Sequence, residues 1–362
     1  MVNHKRDFIV QAGPKALEII RDEGLRPESL KVVAGAAGGP KWLVLYHLDR
    51  LLDLHFYPRC NRPVYFIGSS IGAWRFAALC QRDAASALDR FRDAYIHQRY
   101  EGVPNPADVT AESRRVMDDY VDSQGIDHIL TNPDRRLAIL AVKCRHFTAC
   151  EDKGRMGLGL TGAVLANLIS RSMLSYFFQR HLFGDDHNAI PLKMGGDLPF
   201  RQNPLNRRNF KEALLASGSI PLVMSGVRDI DGADVGVYRD GGMIDYHLDL
   251  PYRLNPSALV LMPHFAGKLI PGWLDKQLRW RRPTKANMAQ VVMVAPSSDF
   301  VRRLPGAKIP DRTDFKTFFQ KDGERFATWK RVVEMCRAPS EAFMESVESG
   351  RIREEVQPME FI

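Results

Sequence analysis

Apolar residues along the chain fall into short unbroken runs and longer helical patterns. The run 64–67 is rich in β-branched and aromatic residues, which predicts a strand buried on both faces. Residues 71–80 are apolar and rich in alanine, which predicts a helix. The same order occurs just before, because a predicted strand at 30–34 leads through a glycine-rich loop into a leucine pattern at 43–52. This β-α-β-α order predicts an α/β sandwich with a largely parallel sheet.

The remaining patterns extend this architecture into one domain over residues 1–362. We expect a three-layer α/β/α sandwich whose motif-bearing core spans about 30–265, with a helical insertion at about 84–190 and a C-terminal helical extension at about 299–362. Further strands are predicted at 136–142, 235–238, 258–262 and 291–294, and further helices at 14–24, 84–100, 107–123, 126–130 and from 208 to a Ser-Gly-Ser-Ile-Pro break at 217–221.

One apolar stretch allows two interpretations. Residues 157–170 carry no charge and are bracketed by Arg155 and Arg171, and the apolar pattern continues to Phe178. The stretch is too short to cross a bilayer. A buried helix is the favoured interpretation, and the alternative is an acyl-chain channel or a lid that meets lipid.

Composition narrows the class of protein. Hydrophobic residues make up 45% of the chain and charged residues 26%, as in soluble globular proteins. The formal charge of +8 suits an anionic partner. We find no nucleic-acid-binding module, so peripheral contact with an anionic membrane is the partner retained, and a generally basic soluble protein without such a contact is the alternative. The N-terminus has no signal-peptide pattern, and the 5 cysteines form no paired metal spacing, so we expect a cytoplasmic protein.

A serine flanked by glycines lies between the predicted strand at 64–67 and the predicted helix at 71–80. The pattern is Gly68-x-Ser70-x-Gly72, that of a nucleophile elbow. A sharp strand-to-helix turn strains the serine backbone, and close packing around it requires neighbours without side chains. The turn also puts Ser70 at a helix N-terminus, where free N–H groups stabilise developing negative charge. An ordinary glycine turn is the alternative.

The glycine-rich loop after the first parallel strand is the second candidate feature. Residues 35–42 lack the Gly-Lys-Ser/Thr ending of a Walker loop and do not fit the dinucleotide fingerprint. A loop of small residues beside the elbow can instead aim backbone N–H groups at a substrate oxygen. A plain connection between strand and helix remains the alternative.

Three separated motifs, in order, resemble those of the patatin-like phospholipases. Gly68-x-Ser70-x-Gly72 resembles that family's elbow, with Ser70 as the nucleophile, and residues 37–41 resemble its oxyanion loop. Asp240-Gly241-Gly242 resembles its Asp-Gly-Gly/Ala motif, with Asp240 as the second member of a Ser–Asp dyad. Residues 216–221 are similar to the helix end that precedes this motif. The resemblance covers roughly residues 30–265.

The resemblance implies a serine acyl hydrolase that cleaves lipid esters through an acyl-enzyme, with Asp240 as the base and no imidazole. If the strands before Ser70 and Asp240 are parallel neighbours, both side chains reach the same sheet edge. The resemblance implies no cofactor, no metal, and a lipid or acyl-ester substrate. Oxyanion and substrate contacts are expected at Gly38, Gly39, Lys41, Gly68, Ile71, Gly72, Gly241 and Gly242. Lys41 either attracts a lipid phosphate or is a solvated surface charge.

Two other functions stay open. An α/β-hydrolase with a Ser–His–Asp triad requires a histidine late in the chain, and His247 and His264 come late enough. A non-catalytic lipid-binding protein could keep the fold without turnover, although the presence of both Ser70 and Asp240 counts against it.

Overall fold

The architecture is a three-layer α/β/α sandwich around a central sheet. The computed structural model describes residues 7–185, 190–196 and 198–361. Within these residues the sheet has 11 strands. The strands are β1 Phe8–Ala12, β2 Leu30–Gly35, β3 Val64–Ser69, β4 Arg135–Cys144, β5 Phe178–Gly184, β6 Phe200–Pro204, β7 Val227–Arg228, β8 Val237–Asp240, β9 Leu259–Pro263, β10 Val291–Pro296 and β11 Gln357–Pro358.

The α-helices of the described residues occupy both halves of the chain. They are α1 Pro14–Glu23, α2 Tyr46–Leu51, α3 Ile71–Leu79, α4 Ala84–Ile96, α5 Pro106–Tyr120, α6 Ser123–Thr131, α7 Lys153–Ile169, α8 Phe210–Gly218, α9 Lys285–Met288, α10 Ser298–Arg303, α11 Asp314–Thr317, α12 Asp322–Met335, α13 Arg337–Glu348 and α14 Ile352–Glu355. The predicted helix at 43–52 is only partly α-helical, because a 3₁₀ turn occupies Gly39–Leu45 before α2 begins.

The sheet is mostly parallel, as the β-α-β-α order predicts. Its main path runs β11-β1-β10-β9-β2-β3-β4-β5-β6, with β7 and β8 attached beside β4. The central strands β9, β2, β3 and β4 pair in parallel, and antiparallel pairs occur at β1–β10, β4–β5, β4–β8 and β7–β8.

Both faces of the sheet are covered by apolar side chains. Along β2, Val33 packs in one hydrophobic cluster and Val32 in another. Along β3, Phe66 and Ile67 divide between the same two clusters. Successive side chains of a strand point to opposite faces, so the two clusters are the two interfaces between sheet and helices. The prediction of a strand buried on both faces is therefore confirmed.

The segment predicted as a helical insertion, 84–190, also supplies two sheet strands. Helices α4 to α7 fall within it, but β4 is a central strand and β5 pairs with it along residues 139–144. The predicted C-terminal extension likewise contributes β11, which pairs with β1.

The prediction that residues 157–170 form a buried helix is wrong for one face of α7. Met156 and Ala163 are buried, whereas the side chains of Leu158, Leu165 and Ile169 are 66%, 58% and 78% exposed. The helical pattern also ends before Phe178, which begins β5. In the described part of the chain, no helix is long and apolar enough to cross a membrane.

Candidate active site

Ser70 lies at a strained turn between β3 and α3. Its backbone has φ 54° and ψ −130°, a conformation that a residue with a side chain rarely adopts. The flanking glycines are required by packing. A Cβ on Gly68 would lie 2.4 Å from the backbone nitrogen of Ala73, and one on Gly72 would lie 2.1 Å from the carbonyl oxygen of Gly35. Both distances are shorter than a non-bonded contact, so neither position accepts a side chain without movement.

Asp240 reaches Ser70 by a topology that differs from the expected one. β4 pairs with β3 through residues 135–140 and with β8 through residues 141–144. Both strands lie along the same edge of β4, because β5 pairs with the other edge through residues 139–144. β3 runs parallel to β4 and β8 antiparallel, so their C-terminal ends meet head to head. Ser69 is paired with Leu140, and Asp240 with Ala141. The condition of two parallel neighbours is therefore not met, and both side chains arrive at one place through this head-to-head arrangement instead.

The two side chains form a direct hydrogen bond. The Oγ hydroxyl of Ser70 donates to Oδ2 of Asp240 at 2.7 Å, and the Gly242 N–H donates to Oδ1 at 2.7 Å. Ser70 and Asp240 are only 6% and 7% exposed. The structure thus gives the carboxylate two neutral donors, one on each oxygen, and keeps most of it from water.

Burial raises the pKa of Asp240 to about 6. The hydrogen bonds from Ser70 and Gly242 oppose this rise, as do the positive charges of Arg312 and Lys276. A general base works best when its pKa lies near the working pH, because it is then ionised yet still holds a proton well. The environment of Asp240 therefore suits proton transfer near neutral pH.

Ser217 is a positioning residue to which sequence analysis assigned no role. Its Oγ accepts a hydrogen bond from the backbone N–H of Ser70 at 2.9 Å and donates to the carbonyl of Leu140 at 2.6 Å. Two residues later, the carbonyl of Ser219 accepts from the N–H of Asp240 at 3.0 Å. The serines at the end of α8 thus fix the elbow, the dyad strand and β4 relative to one another. The Ser-Gly-Ser sequence that ends the predicted helix is the signal from which these two serines could have been identified.

The glycine-rich loop lies against both motifs. A Cβ on Gly72 would clash with Gly35 at the end of β2, and a Cβ on Gly242 would lie 2.8 Å from Cβ of Ala37. The N–H of Ala37 donates to the carbonyl of Tyr246 at 2.8 Å. The N–H groups of Gly38 and Gly39, like that of Ile71 at the start of α3, have no hydrogen-bond partner among the described residues.

The two late histidines are not part of the dyad. His247 Nδ1 accepts from the N–H of Ile270, and His264 Nδ1 contacts the backbone of Ala266. Burial lowers the pKa of His264 to about 3 and that of His247 well below its ordinary value. Both rings are therefore neutral. Within the described residues, neither ring bonds to Ser70 or Asp240, whose side chains bond to one another.

Three cations lie around the glycine-rich loop. Lys41 Nζ lies 4.9 Å from the ring centre of Phe265, and Lys276 Nζ lies 4.0 Å from that of Tyr246. Arg312 would contact a Cβ on Gly39 at 3.5 Å. Lys276 and Arg312 come from the part of the chain that no motif covers, so sequence reasoning missed them.

Comparison with known proteins adds little to this geometry. No protein-family model matches the chain, and no curated protein matches it. A solved structure, that of VipD from Legionella pneumophila, is similar at 11% sequence identity and a TM-score of 0.37, over 93% of this chain and 72% of that one. Such a likeness says nothing about activity.

Proposed function

We propose that the protein is a serine acyl hydrolase that cleaves ester bonds of lipids with a Ser70–Asp240 dyad, in the manner of the patatin-like phospholipases. The 2.7 Å hydrogen bond from Ser70 Oγ to the buried Asp240 carboxylate is the observation that carries the proposal. A serine hydroxyl is a weak nucleophile until a neighbouring base takes its proton, and Asp240 is that base here.

The proposed reaction has two halves. Asp240 takes the proton of Ser70 Oγ as the oxygen attacks the ester carbonyl carbon, and the N–H groups of Gly38, Gly39 and Ile71 stabilise the oxyanion. Asp240 then gives this proton to the departing alcohol, which leaves an acyl-Ser70 ester. Water attacks that ester, loses a proton to Asp240, and releases the acid as Ser70 regains its proton. Loss of one oxyanion donor typically costs about 3 kcal/mol of transition-state stabilisation.

Two observations disfavour the other functions. A triad needs an imidazole between serine and acid, and Ser70 bonds directly to Asp240 instead. A non-catalytic lipid-binding protein has no use for a strained serine beside a buried carboxylate. Backbone strain of this kind persists only where the surrounding structure enforces it.

Hydrolysis of a total lipid extract, followed by mass spectrometry of the released fatty acids, tests the proposal. We expect release by the intact chain and none by Ser70→Ala. Ser69→Ala is the matched control, because Ser69 is the buried neighbour whose Oγ has no partner among the described residues. Equal release by Ser70→Ala, or none by the intact chain, would contradict the proposal.

We further propose that the exposed face of α7 is the part that contacts a lipid surface. Leu158, Leu165 and Ile169 form an apolar strip with no charge between them. Lys153 and Arg155 precede the strip and are exposed, which suits anionic headgroups. The end of α7 is also tied to the site region, because Asn167 donates to Asp275, the residue before Lys276, at 2.7 Å.

Co-sedimentation with vesicles tests this contact. We expect binding to vesicles containing phosphatidylglycerol at low salt, and weaker binding as salt screens the charges. Leu165→Glu should reduce sedimentation, whereas Val103→Glu, at an exposed apolar residue outside α7, should not. Equal sedimentation of Leu165→Glu and the unaltered chain would contradict the proposal that α7 contacts the lipid surface.

A further inference from the structure

One short segment joins the base of the candidate site to the glycine-rich loop. It comprises residues 240–246 and is called the linking segment below. Near its start, the Gly242 N–H donates to Oδ1 of Asp240 at 2.7 Å. At its end, the carbonyl of Tyr246 accepts from the N–H of Ala37 at 2.8 Å. A shift of the linking segment would therefore displace the base and the loop together.

Asp245 lies within the linking segment and is held by a buried arginine of β5. Arg180 donates from Nε to Oδ2 of Asp245 at 2.9 Å and from Nη2 to Oδ1 at 2.5 Å, so both carboxylate oxygens are bound. Nη1 of Arg180 donates to the carbonyl of Leu198 at 2.7 Å. The backbone N–H of Asp245 donates in turn to the carbonyl of Gly241 at 2.9 Å. The ion pair thus connects β5 to the turn that follows Asp240.

Stability alone does not explain why this pair is buried. Arg180 and Asp245 are 5% and 1% exposed, and well-packed apolar side chains often replace such a pair at no cost in stability. Met243, Ile244 and Leu198 beside the pair already belong to one buried hydrophobic cluster. A bidentate arginine–carboxylate pair adds a fixed distance and angle, which apolar contacts do not supply.

We propose that Arg180 and Asp245 are positioning residues for the proposed reaction. The pair holds the linking segment so that the Gly242 N–H meets the Asp240 carboxylate while Tyr246 holds the glycine-rich loop. This inference rests on the proposed function and names two residues that the reaction requires beyond the serine, the aspartate and the backbone donors. Neither residue touches the substrate in this role, since both act through the backbone of the linking segment.

The test removes both charges at once, because a single substitution leaves the other charge buried without a partner. We expect Arg180→Met/Asp245→Asn to lower kcat for a soluble p-nitrophenyl ester by about 10- to 100-fold at nearly unchanged KM, since the base is misplaced and substrate binding is not. Arg135→Met/Asp53→Asn is the matched control. That partly buried pair is also 2.5 Å long but lies at the other end of β4 from the site, so kcat should be kept.

The pH profile distinguishes positioning from a general loss of structure. The hydrogen bond from the Gly242 N–H lowers the pKa of Asp240 against the effect of burial. Its loss should therefore move the acid limb of kcat/KM to higher pH by about half to one pH unit. Arg312 and Lys276, the charged groups that act on Asp240, are unaltered in both double variants, so the control should keep its midpoint.

A measurement without turnover separates failure of this inference from failure of the proposed function. Carbon NMR titration of the Asp240 carboxyl, assigned by its absence in Asp240→Asn, should show the same rise in pKa in Arg180→Met/Asp245→Asn. If the intact chain hydrolyses no ester, the proposed function fails, whereas this rise still shows that the pair holds the turn. Arg180→Lys keeps the charge without the bidentate geometry, so it decides the matter if the double variant does not fold, and it should change kcat and midpoint in the same direction. An unchanged kcat, midpoint and carboxyl pKa in the folded variants would overturn the inference.

Discussion

Two aspartates of this protein are buried to a similar degree yet have different partners. Asp49 of α2 is 0% exposed and Asp240 is 7% exposed, and burial raises the pKa of each to about 6. Asp49 forms an ion pair with Arg75 Nε at 2.8 Å. Among the described residues, Asp240 accepts hydrogen bonds only from the neutral donors Ser70 and Gly242.

The difference shows that a raised pKa alone does not identify a base. Arg75 belongs to α3, so the Asp49–Arg75 pair ties α2 to the helix that follows the elbow, and the guanidinium does not give up its proton. Asp240 instead accepts from the hydroxyl of Ser70, whose proton can move to the carboxylate. We therefore expect loss of Asp49 to affect folding first, and loss of Asp240 to affect chemistry first.

The largest expected effect is that of Asp240→Asn on activity. The amide keeps the shape but cannot take the proton of Ser70, so the esterase rate should fall by a factor on the order of 10² to 10⁴. Hydrolysis of a soluble p-nitrophenyl ester measures this rate, and circular dichroism checks the fold. A variant with near-normal activity would show that another group is the base.

The next largest effect is that of Asp49→Asn on stability. This change leaves Arg75 buried without a counter-charge. Such a loss typically costs about 3–5 kcal/mol net of the relief from removing a carboxylate whose pKa burial raises, and Asp240 has no charged hydrogen-bond partner among the described residues to strand in this way. Urea denaturation should show the loss, and the fraction that remains folded should still hydrolyse ester. If Asp49→Asn instead kept full stability and lost activity, the assignment of the two aspartates would have to be reversed.

The pH profile of activity gives a third comparison. The pKa of Asp240 is about 6, so kcat/KM should fall about tenfold for each pH unit below that value, as the base becomes protonated. Asp49→Asn should leave the midpoint unchanged, because Asp49 bonds to neither member of the dyad. A profile that is flat from pH 8 to pH 5 would contradict the role of Asp240.

The smallest effect is the change in stability caused by Asp240→Asn. The pKa of Asp240 is raised from 3.8 to about 6 in the folded state, so folding favours the protonated carboxyl group. As the pH rises from about 4 to about 6 the group ionises, and the ionised carboxylate destabilises the folded protein. The variant should therefore be more stable at pH 8, by at most about 3 kcal/mol, and the gain should vanish below about pH 4. Thermal denaturation at both pH values measures it, and a stability loss at pH 8 would contradict the sign.

Local patterns in the sequence predicted the central elements well. The unbroken run before Ser70 gave β3, and the glycines that packing requires are those of the elbow motif. Strand 235–238 was placed two residues early, because Val235 is apolar yet 79% exposed and the strand is β8 at Val237–Asp240. The meeting of β3 and β8 at one edge of β4 depends on long-range pairing that no local pattern encodes.

The surroundings of the site were harder to predict for the same reason. Lys276 and Arg312 are separated in the chain from every motif, and only the fold brings them to the loop at Gly38 and Gly39. The exposure of α7 was missed because an uncharged stretch has the same composition whether its side chains face a core or the outside.

Covalent labelling with a fluorophosphonate, mapped to a residue by peptide mass spectrometry, tests the central claim most directly. The reagent reacts with a serine only where a base and an oxyanion site activate it. The account predicts a single modified serine at Ser70, retained in Ser69→Ala and abolished in Ser70→Ala. Modification at a different serine, or no modification of the folded chain, would contradict the claim that Ser70 is the activated nucleophile.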